Sequence, residues 1–136
     1  MTEKKEISLP SRIESVDEAA VEAEKFFRSL GYEDDVVSAV DLAVRESVAN
    51  AVKHGNKFDE SKQVEVLFSD SAEELEITVK DFGIGFDPDE IPDPTDPANL
   101  LKATGRGLLF MRSFMDEVSW RRNKRGGMAV IMKKKH

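Results

Sequence analysis

The sequence predicts an α+β fold, with helices laid over one face of a largely antiparallel sheet. Apolar residues recur at three- and four-residue steps in two early segments, 15–30 and 33–55, which is the spacing of amphipathic helices. Apolar and polar residues alternate in four later segments, as expected for half-buried strands: 64–68, 75–79, 118–120 and 128–132. These patterns and the length of 136 residues predict a single domain spanning residues 1–136.

The N-terminal part of the chain predicts an edge strand followed by a helix. Ile7 and Leu9 alternate with polar neighbours, which indicates a strand. Ser15 and Glu18 have the spacing of a capping box, which predicts the first turn of the first helix. Gly31 is the expected end of that helix, because glycine readily adopts the backbone conformation that terminates helices.

The second helix contains two polar residues that its apolar pattern does not explain. Acidic residues at 33–35 favour the positive end of its dipole, and Gly55 is the expected end. Glu46 and Asn50 lie one turn apart at the edge of the apolar face. Each buried polar group without a hydrogen-bond partner would lower the stability of the fold by roughly 1–3 kcal/mol. A bound metal ion with phosphates would satisfy both.

The predicted hairpin of segments 64–68 and 75–79 leads into a long loop. The loop contains four of the five prolines, which prevent a paired strand or a continuous helix: Pro88, Pro92, Pro94 and Pro97. A third helix is predicted after Gly105 and Gly107, with an apolar face that ends near Met115. Glycines at the start of a helix let a phosphate approach bare backbone amides.

Composition excludes several classes of function. The net charge of -7 and the pI near 4.9 argue against nucleic acid or an anionic membrane as the main partner. The chain has no cysteine, so neither a disulfide nor a thiolate metal site is predicted. No apolar run reaches membrane-spanning length and no signal core is present, which predicts a soluble, cytoplasmic protein without a membrane partner. The basic residues at 121–125 and 133–135 are expected to be solvated.

Three polar clusters together resemble the N, G1 and G2 boxes of the GHKL (Bergerat-fold) ATPase superfamily: Glu46/Asn50, Asp81/Gly83/Gly85 and Gly105/Arg106/Gly107. Within it, the chain resembles the anti-sigma factor serine/threonine-protein kinases over nearly its whole length. The resemblance implies a histidine kinase-like ATPase domain, a two-layer sandwich whose mostly antiparallel mixed sheet carries helices on one face. It also implies an ATP lid at about 86–104.

The resemblance implies a role for each matching residue. Glu46 corresponds to the proposed catalytic base and Asn50 to the Mg²⁺ ligand, whose amide oxygen is a suitable hard donor. Asp81 corresponds to the residue that accepts a hydrogen bond from the adenine amino group. The nucleotide-binding set implied in this way is Asn50, Asp81, Gly83, Gly85, Thr104, Gly105, Arg106, Gly107 and Leu108.

Simpler interpretations of the same residues are also open. Asn50 and Asp81 could each cap a turn, and Glu46 could pair with Arg45 or Lys53. Arg106 could be a solvated side chain, and the proline-rich loop a disordered connector. A Walker loop is excluded, because no Gly-Lys-Ser/Thr sequence follows the glycines.

The resemblance implies an ATP- and Mg²⁺-dependent kinase that phosphorylates an anti-anti-sigma antagonist protein and sequesters a sigma factor, and it implies a homodimer. The alternative is a non-catalytic ATP/ADP-binding regulatory module that binds a protein partner. A histidine kinase catalytic domain is disfavoured because no dimerisation helices with a phospho-accepting histidine precede the predicted domain.

Overall fold

The computed structural model describes residues 2–83, 113–122 and 126–136, which form a five-stranded sheet and two helices. The elements in chain order are β1 (Glu3–Pro10), α1 (Glu14–Ser29), α2 (Asp34–Asn50), β2 (Gln63–Asp70), β3 (Glu74–Lys80), β4 (Glu117–Arg122) and β5 (Met128–Lys135). A π-helical turn, Ala51–Gly55, extends α2. The predicted α+β class is confirmed, as are all the predicted strands and the first two helices.

The sheet has the strand order β1-β2-β3-β5-β4, and all four described pairings are antiparallel. The predicted edge position of β1 is confirmed. The predicted hairpin is also confirmed, because β2 pairs with β3 in a register that places Val66 opposite Val79. β5 lies between β3 and β4, so the strand that follows β4 in sequence enters the interior of the sheet.

The core lies between the helices and the inward side of the sheet. One row of this side runs in register across all five strands: Ile7, Val66, Val79, Val130 and Trp120. The row meets the buried side chains of both helices, among them Phe27 and Val44, which are fully buried. Burying such aliphatic and aromatic side chains contributes about 1.5–3 kcal/mol each, so the core fixes α2 firmly on the sheet.

The end of α1 follows the prediction from Gly31. This residue has φ +89°, and its amide donates to the Arg28 carbonyl at 3.0 Å. The Tyr32 amide donates to the Phe27 carbonyl at 3.2 Å, and the two bonds together form a Schellman motif. The motif turns the chain directly into α2.

The start of α1 differs from the prediction, because the capping box does not form. The helix begins at Glu14, and no side chain caps it. The Ser15 hydroxyl is buried and donates to the Pro10 carbonyl at 2.6 Å. Tertiary packing therefore uses this serine to fix the connection between β1 and α1.

The C-terminal lysines also differ from the prediction. Residues 133–135 belong to β5 and pair with β3. Lys134 Nζ donates to the Phe114 carbonyl at 3.2 Å and lies 4.5 Å from the centroid of its ring. The Lys134 side chain thus packs on Phe114, which is common for lysine because its stem is apolar.

The lid-like loop at about 86–104 and most of the predicted third helix lie outside the described residues. The described end of that helix comprises Ser113 and Phe114, which are helical, followed by the buried Met115. The domain boundaries at 1–136 stay a prediction.

Candidate nucleotide site

Glu46 and Asn50 line a cleft beside the last turns of α2. The cleft has a volume of about 370 Å³ and is closed on the α1 side by Val16. Leu42 and Lys53 form further parts of its wall. Both polar residues are half-buried, as the helical pattern predicts for positions at the edge of an apolar face. We call this region the helix cleft.

Among the described residues, no cation forms an ion pair with the Glu46 carboxylate. Burial raises the pKa of Glu46 above the ordinary value, and the Lys53 ammonium partly offsets this effect. Arg45 instead binds Asp17 and lies 2.9 Å from Asp41, so the predicted alternative of a pair with Arg45 is wrong. Within the described part of the chain, the carboxylate makes no hydrogen bond. Its oxygens can therefore accept a proton, or a hydrogen bond from a hydroxyl group.

The Asn50 amide likewise bonds no other described side chain or backbone group. It lies one turn after Glu46 on the same side of α2, so an amide oxygen and a carboxylate face one cleft. Both are hard oxygen donors of the kind that Mg²⁺ accepts. Residues 2–83, 113–122 and 126–136 contain no cluster of three His, Cys, Asp or Glu side chains that could hold a metal ion by themselves. Ligands from the phosphates would therefore be needed to complete a Mg²⁺ site beside Asn50.

Asp81 follows β3 and is 6% exposed. Its Oδ1 accepts hydrogen bonds from the Met128 amide at 3.0 Å and the Gly83 amide at 3.3 Å. The Asp81 amide donates to the Met128 carbonyl at 2.9 Å. Burial raises the pKa of Asp81, and the two bonds to Oδ1 partly offset that rise.

The second carboxylate oxygen of Asp81 has no hydrogen-bond donor among the described residues. The turn-capping interpretation thus accounts for Oδ1 alone. A buried carboxylate oxygen without a donor is unfavourable by about 1–3 kcal/mol or more, so Oδ2 fits a ligand that brings a donor. The exocyclic amino group of adenine is such a donor.

Three glycines surround this carboxylate so closely that no larger residue fits. A Cβ on Gly55 would lie 2.2 Å from Asp81 Oδ2, and a Cβ on Gly127 would lie 2.2 Å from the Asp81 carbonyl oxygen. A Cβ on Gly83 would lie 1.9 Å from the Gly55 carbonyl oxygen. We call the group of Asp81, Gly55, Gly83, Gly127 and Met128 the aspartate nest.

The π-helical turn connects the two regions. The Asn56 amide donates to the Ala51 carbonyl at 2.8 Å, which adds one residue to the last turn. Such turns are rare in proteins overall, and many of those that occur lie at functional sites. Gly55 lies five residues after Asn50, or roughly 7 Å along the axis at about 1.5 Å per residue. The helix cleft and the aspartate nest therefore share one end of the domain.

The structure brings four predicted site residues to this end: Glu46, Asn50, Asp81 and Gly83. The other predicted site residues lie outside the described part of the chain: Gly85, Thr104, Gly105, Arg106, Gly107 and Leu108. The sequence did not reveal the contacts of Gly55, which was interpreted only as a helix end, or those of Gly127. Their only sequence signal is the glycine itself at the boundary of an element.

No described helix has both the length and the apolar composition needed to cross a membrane.

Comparison with known families and proteins gives consistent matches. Residues 9–134 match the family described as the histidine kinase-like ATPase domain. The chain is 33% identical to the anti-sigma F factor of Clostridium perfringens strain SM101 over 137 residues, which cover 99% of this chain and 98% of that protein. It is 33% identical over 111 residues to the serine-protein kinase RsbW of Bacillus subtilis strain 168, covering 77% of this chain and 68% of that protein. The RsbW of Oceanobacillus iheyensis is 27% identical over 135 residues, covering 95% and 84%.

Proposed function

The chain belongs to the histidine kinase-like ATPase family, among the anti-sigma factor kinases, and from this premise we propose that it is an ATP-dependent protein-serine/threonine kinase that acts as an anti-sigma factor. Its antiparallel sheet with helices on one side fits the Bergerat ATP-binding fold. The protein substrate would be an anti-anti-sigma antagonist, and the sequestered partner a sigma factor.

The observation that carries the proposal is the Oδ2 atom of the buried Asp81, which has no hydrogen-bond donor among the described residues. Adenine offers a donor for this oxygen, and the close approach of Gly55 and Gly127 holds the aspartate in place. The helix cleft lies at the same end of the domain, where the phosphates would extend toward Glu46 and Asn50. The geometry therefore supports a nucleotide bound with its base at β3 and its phosphates at α2.

Glu46 is proposed as the general base. In the transfer step, the serine or threonine oxygen of the substrate forms a bond to the γ-phosphorus, and the bond from that phosphorus to the β,γ-bridging oxygen breaks. ADP leaves with the electron pair, and the hydroxyl proton moves to a Glu46 carboxylate oxygen. No cation among the described residues pairs with this carboxylate, which supports the role because an ion-paired carboxylate would be a weaker base.

Asn50 is proposed to hold Mg²⁺ together with the phosphates. Bound there, Mg²⁺ would neutralise negative charge on the phosphates and help to align them. Gly105, Gly107 and Arg106 stay predicted phosphate contacts. The homodimer and the cytoplasmic location stay predictions from the sequence.

Mass spectrometry of a candidate antagonist after incubation with Mg-ATP tests the proposal. The wild-type protein should add one phosphate to a serine or threonine. Glu46→Gln should bind ADP normally and transfer phosphate about 10²–10⁴-fold more slowly. Glu73→Gln is the matched control, because it removes the same charge from the exposed turn between β2 and β3.

Two results would contradict the proposal. Transfer by Glu46→Gln at the wild-type rate would remove the base assignment. Tight ADP binding without any transfer to the antagonists of the native host would favour the alternative, a nucleotide-binding regulator without catalytic activity.

A further inference from the structure

Asn56 is a buried amide that the proposed mechanism does not use. It follows Gly55 directly and is 2% exposed. Its Oδ1 accepts a hydrogen bond from the Phe82 amide at 2.8 Å. Its Nδ2 donates to the Ser11 hydroxyl oxygen at 2.6 Å and to the Gln63 carbonyl at 3.0 Å. One side chain thus connects the ends of β1, α2 and β3 with the start of β2.

The network fixes the orientation of this amide. The Ser11 hydroxyl donates its one hydrogen to the Lys62 carbonyl at 2.8 Å, so it can only accept from Asn56. The Gln63 carbonyl is also only an acceptor, and the Phe82 amide is only a donor. Nδ2 must therefore face Ser11, and Oδ1 must face Phe82.

Phe82 is the residue after Asp81, so the bond from Asn56 reaches the peptide group that carries the aspartate. The Asn56 oxygen fixes the plane of the peptide between Asp81 and Phe82. Gly55, the neighbour of Asn56, supports the other side of the Asp81 carboxylate. Two successive residues at the end of one helix thus hold the backbone and the side chain of the same aspartate.

We propose that Asn56 is a positioning residue for base recognition, which keeps Asp81 Oδ2 where it accepts a hydrogen bond from the amino group of adenine. This inference rests on the proposed function, because it assumes that Asp81 binds the base. Asn56 also connects the end of α2, which forms the helix cleft, to the aspartate nest through its bond with Phe82. Selectivity for adenine then depends on a residue that does not touch the base.

The preference for ADP over IDP tests the inference. Hypoxanthine has a carbonyl oxygen in place of the amino group of adenine, so IDP cannot donate to Asp81. Isothermal calorimetry gives both dissociation constants, and the ratio of the value for Mg-IDP to the value for Mg-ADP measures the preference for ADP. Asn56→Ala should reduce this ratio by about fivefold to tenfold, the effect of one misplaced hydrogen bond to a charged acceptor.

Ser11→Ala is the matched control. It removes one partner of Asn56 Nδ2 but keeps the bond from Phe82 to Oδ1. Both variants should lower the urea midpoint, because each breaks the same buried network. Only Asn56→Ala should change the preference for ADP. Equal loss of stability with an unchanged ratio in both variants would mean that Asn56 has a purely structural role, and would overturn the inference.

Hydrogen exchange in the wild-type protein gives a test that does not depend on a folded variant. The Phe82 amide should be protected about as well as the amides of β3, since it donates to a buried oxygen. Exchange of Phe82 at the rate of an open loop would overturn the inference. Failure of the wild-type protein to prefer ADP over IDP would instead contradict the assignment of Asp81 to the base, and with it the proposed site.

Discussion

The aspartate nest and the helix cleft differ in how completely their polar groups are bonded. In the nest, Asp81 is buried and its Oδ1 accepts two backbone hydrogen bonds. In the cleft, Glu46 and Asn50 are half-buried and bond no described group. Counting only bonds to described residues, the aspartate nest leaves one carboxylate oxygen without a donor, whereas the helix cleft leaves both Glu46 oxygens and the Asn50 amide oxygen without one. The nest is therefore preformed for one flat donor-bearing group, and the cleft is left to be completed by ligands.

The largest expected effect on activity comes from Glu46 in the helix cleft. Glu46→Gln should lower the rate of phosphate transfer by about 10²–10⁴-fold, the usual contribution of a general base. Its dissociation constant for Mg-ADP should stay close to the wild-type value. Single-turnover transfer with a radiolabelled γ-phosphate measures the rate, and calorimetry measures the binding.

The same variant should be slightly more stable than the wild type at neutral pH. Burial raises the pKa of Glu46 in the folded protein, so the ionised side chain is less favourable there than in the unfolded chain. This disadvantage is present above the raised pKa and disappears as the pH falls below the ordinary value of 4.5. Urea unfolding at pH 7 and pH 4 checks the sign. A variant that is less stable than the wild type at pH 7 would contradict it.

A larger residue in the aspartate nest should weaken ADP binding by displacing Asp81. Gly55→Ala places a methyl group 2.2 Å from Oδ2, and relieving this overlap should lower the free energy of unfolding by about 1–3 kcal/mol. ADP affinity should fall with it. Gly31→Ala is the control, because its positive φ also makes alanine unfavourable but no atom lies within 4 Å of the new methyl group. It should lose stability and keep its ADP affinity.

Asp81→Asn should change the preferred base from adenine to hypoxanthine. Its loss of stability should be smaller than that of Gly55→Ala. The asparagine oxygen can keep the two bonds from Met128 and Gly83, which places an NH₂ group where Oδ2 now lies. This donor opposes the amino group of adenine and suits the carbonyl of hypoxanthine. The ADP dissociation constant should rise about tenfold, and IDP should become the better ligand. Retention of the wild-type preference would show that the base does not contact this oxygen.

The smallest effect is expected from Lys53 at the rim of the cleft. Its ammonium lowers the pKa of Glu46, so Lys53→Met should raise that pKa further. The acid limb of the profile of kcat/KM against pH should then move to higher pH, because the base must be ionised. Lys53→Arg keeps the charge and should leave the limb in place. A shift in the opposite direction would mean that the limb reports another group.

The sequence predicted most of the fold because the strands and helices have strong periodicity. The row from Ile7 to Trp120 buries the residues that the alternating pattern selects. Ser15 misled the prediction, since its hydroxyl bonds Pro10 in place of the helix start. Local spacing cannot reveal which of two nearby carbonyl or amide groups a buried hydroxyl will reach.

The site was only partly predictable, for a similar reason. Glu46 and Asn50 stood out because they interrupt an apolar helix face, and Asp81 was identified through the family resemblance. Asn56 gave no such signal, since a polar residue after a helix-ending glycine is ordinary. Two of its three partners, Ser11 and Phe82, lie 45 and 26 residues away in the sequence. Only the folded chain brings these groups together.

The interior position of β5 has a consequence for synthesis of the protein. β5 follows every other described element in sequence, yet it joins β3 to β4 and supplies Met128 to the aspartate nest. While the ribosome still holds residues 128–135, the nascent chain can form a sheet of only β1, β2 and β3 on its helices. Such a chain would lack the amide that orients Asp81. Nucleotide binding should therefore appear only after β5 has left the ribosome.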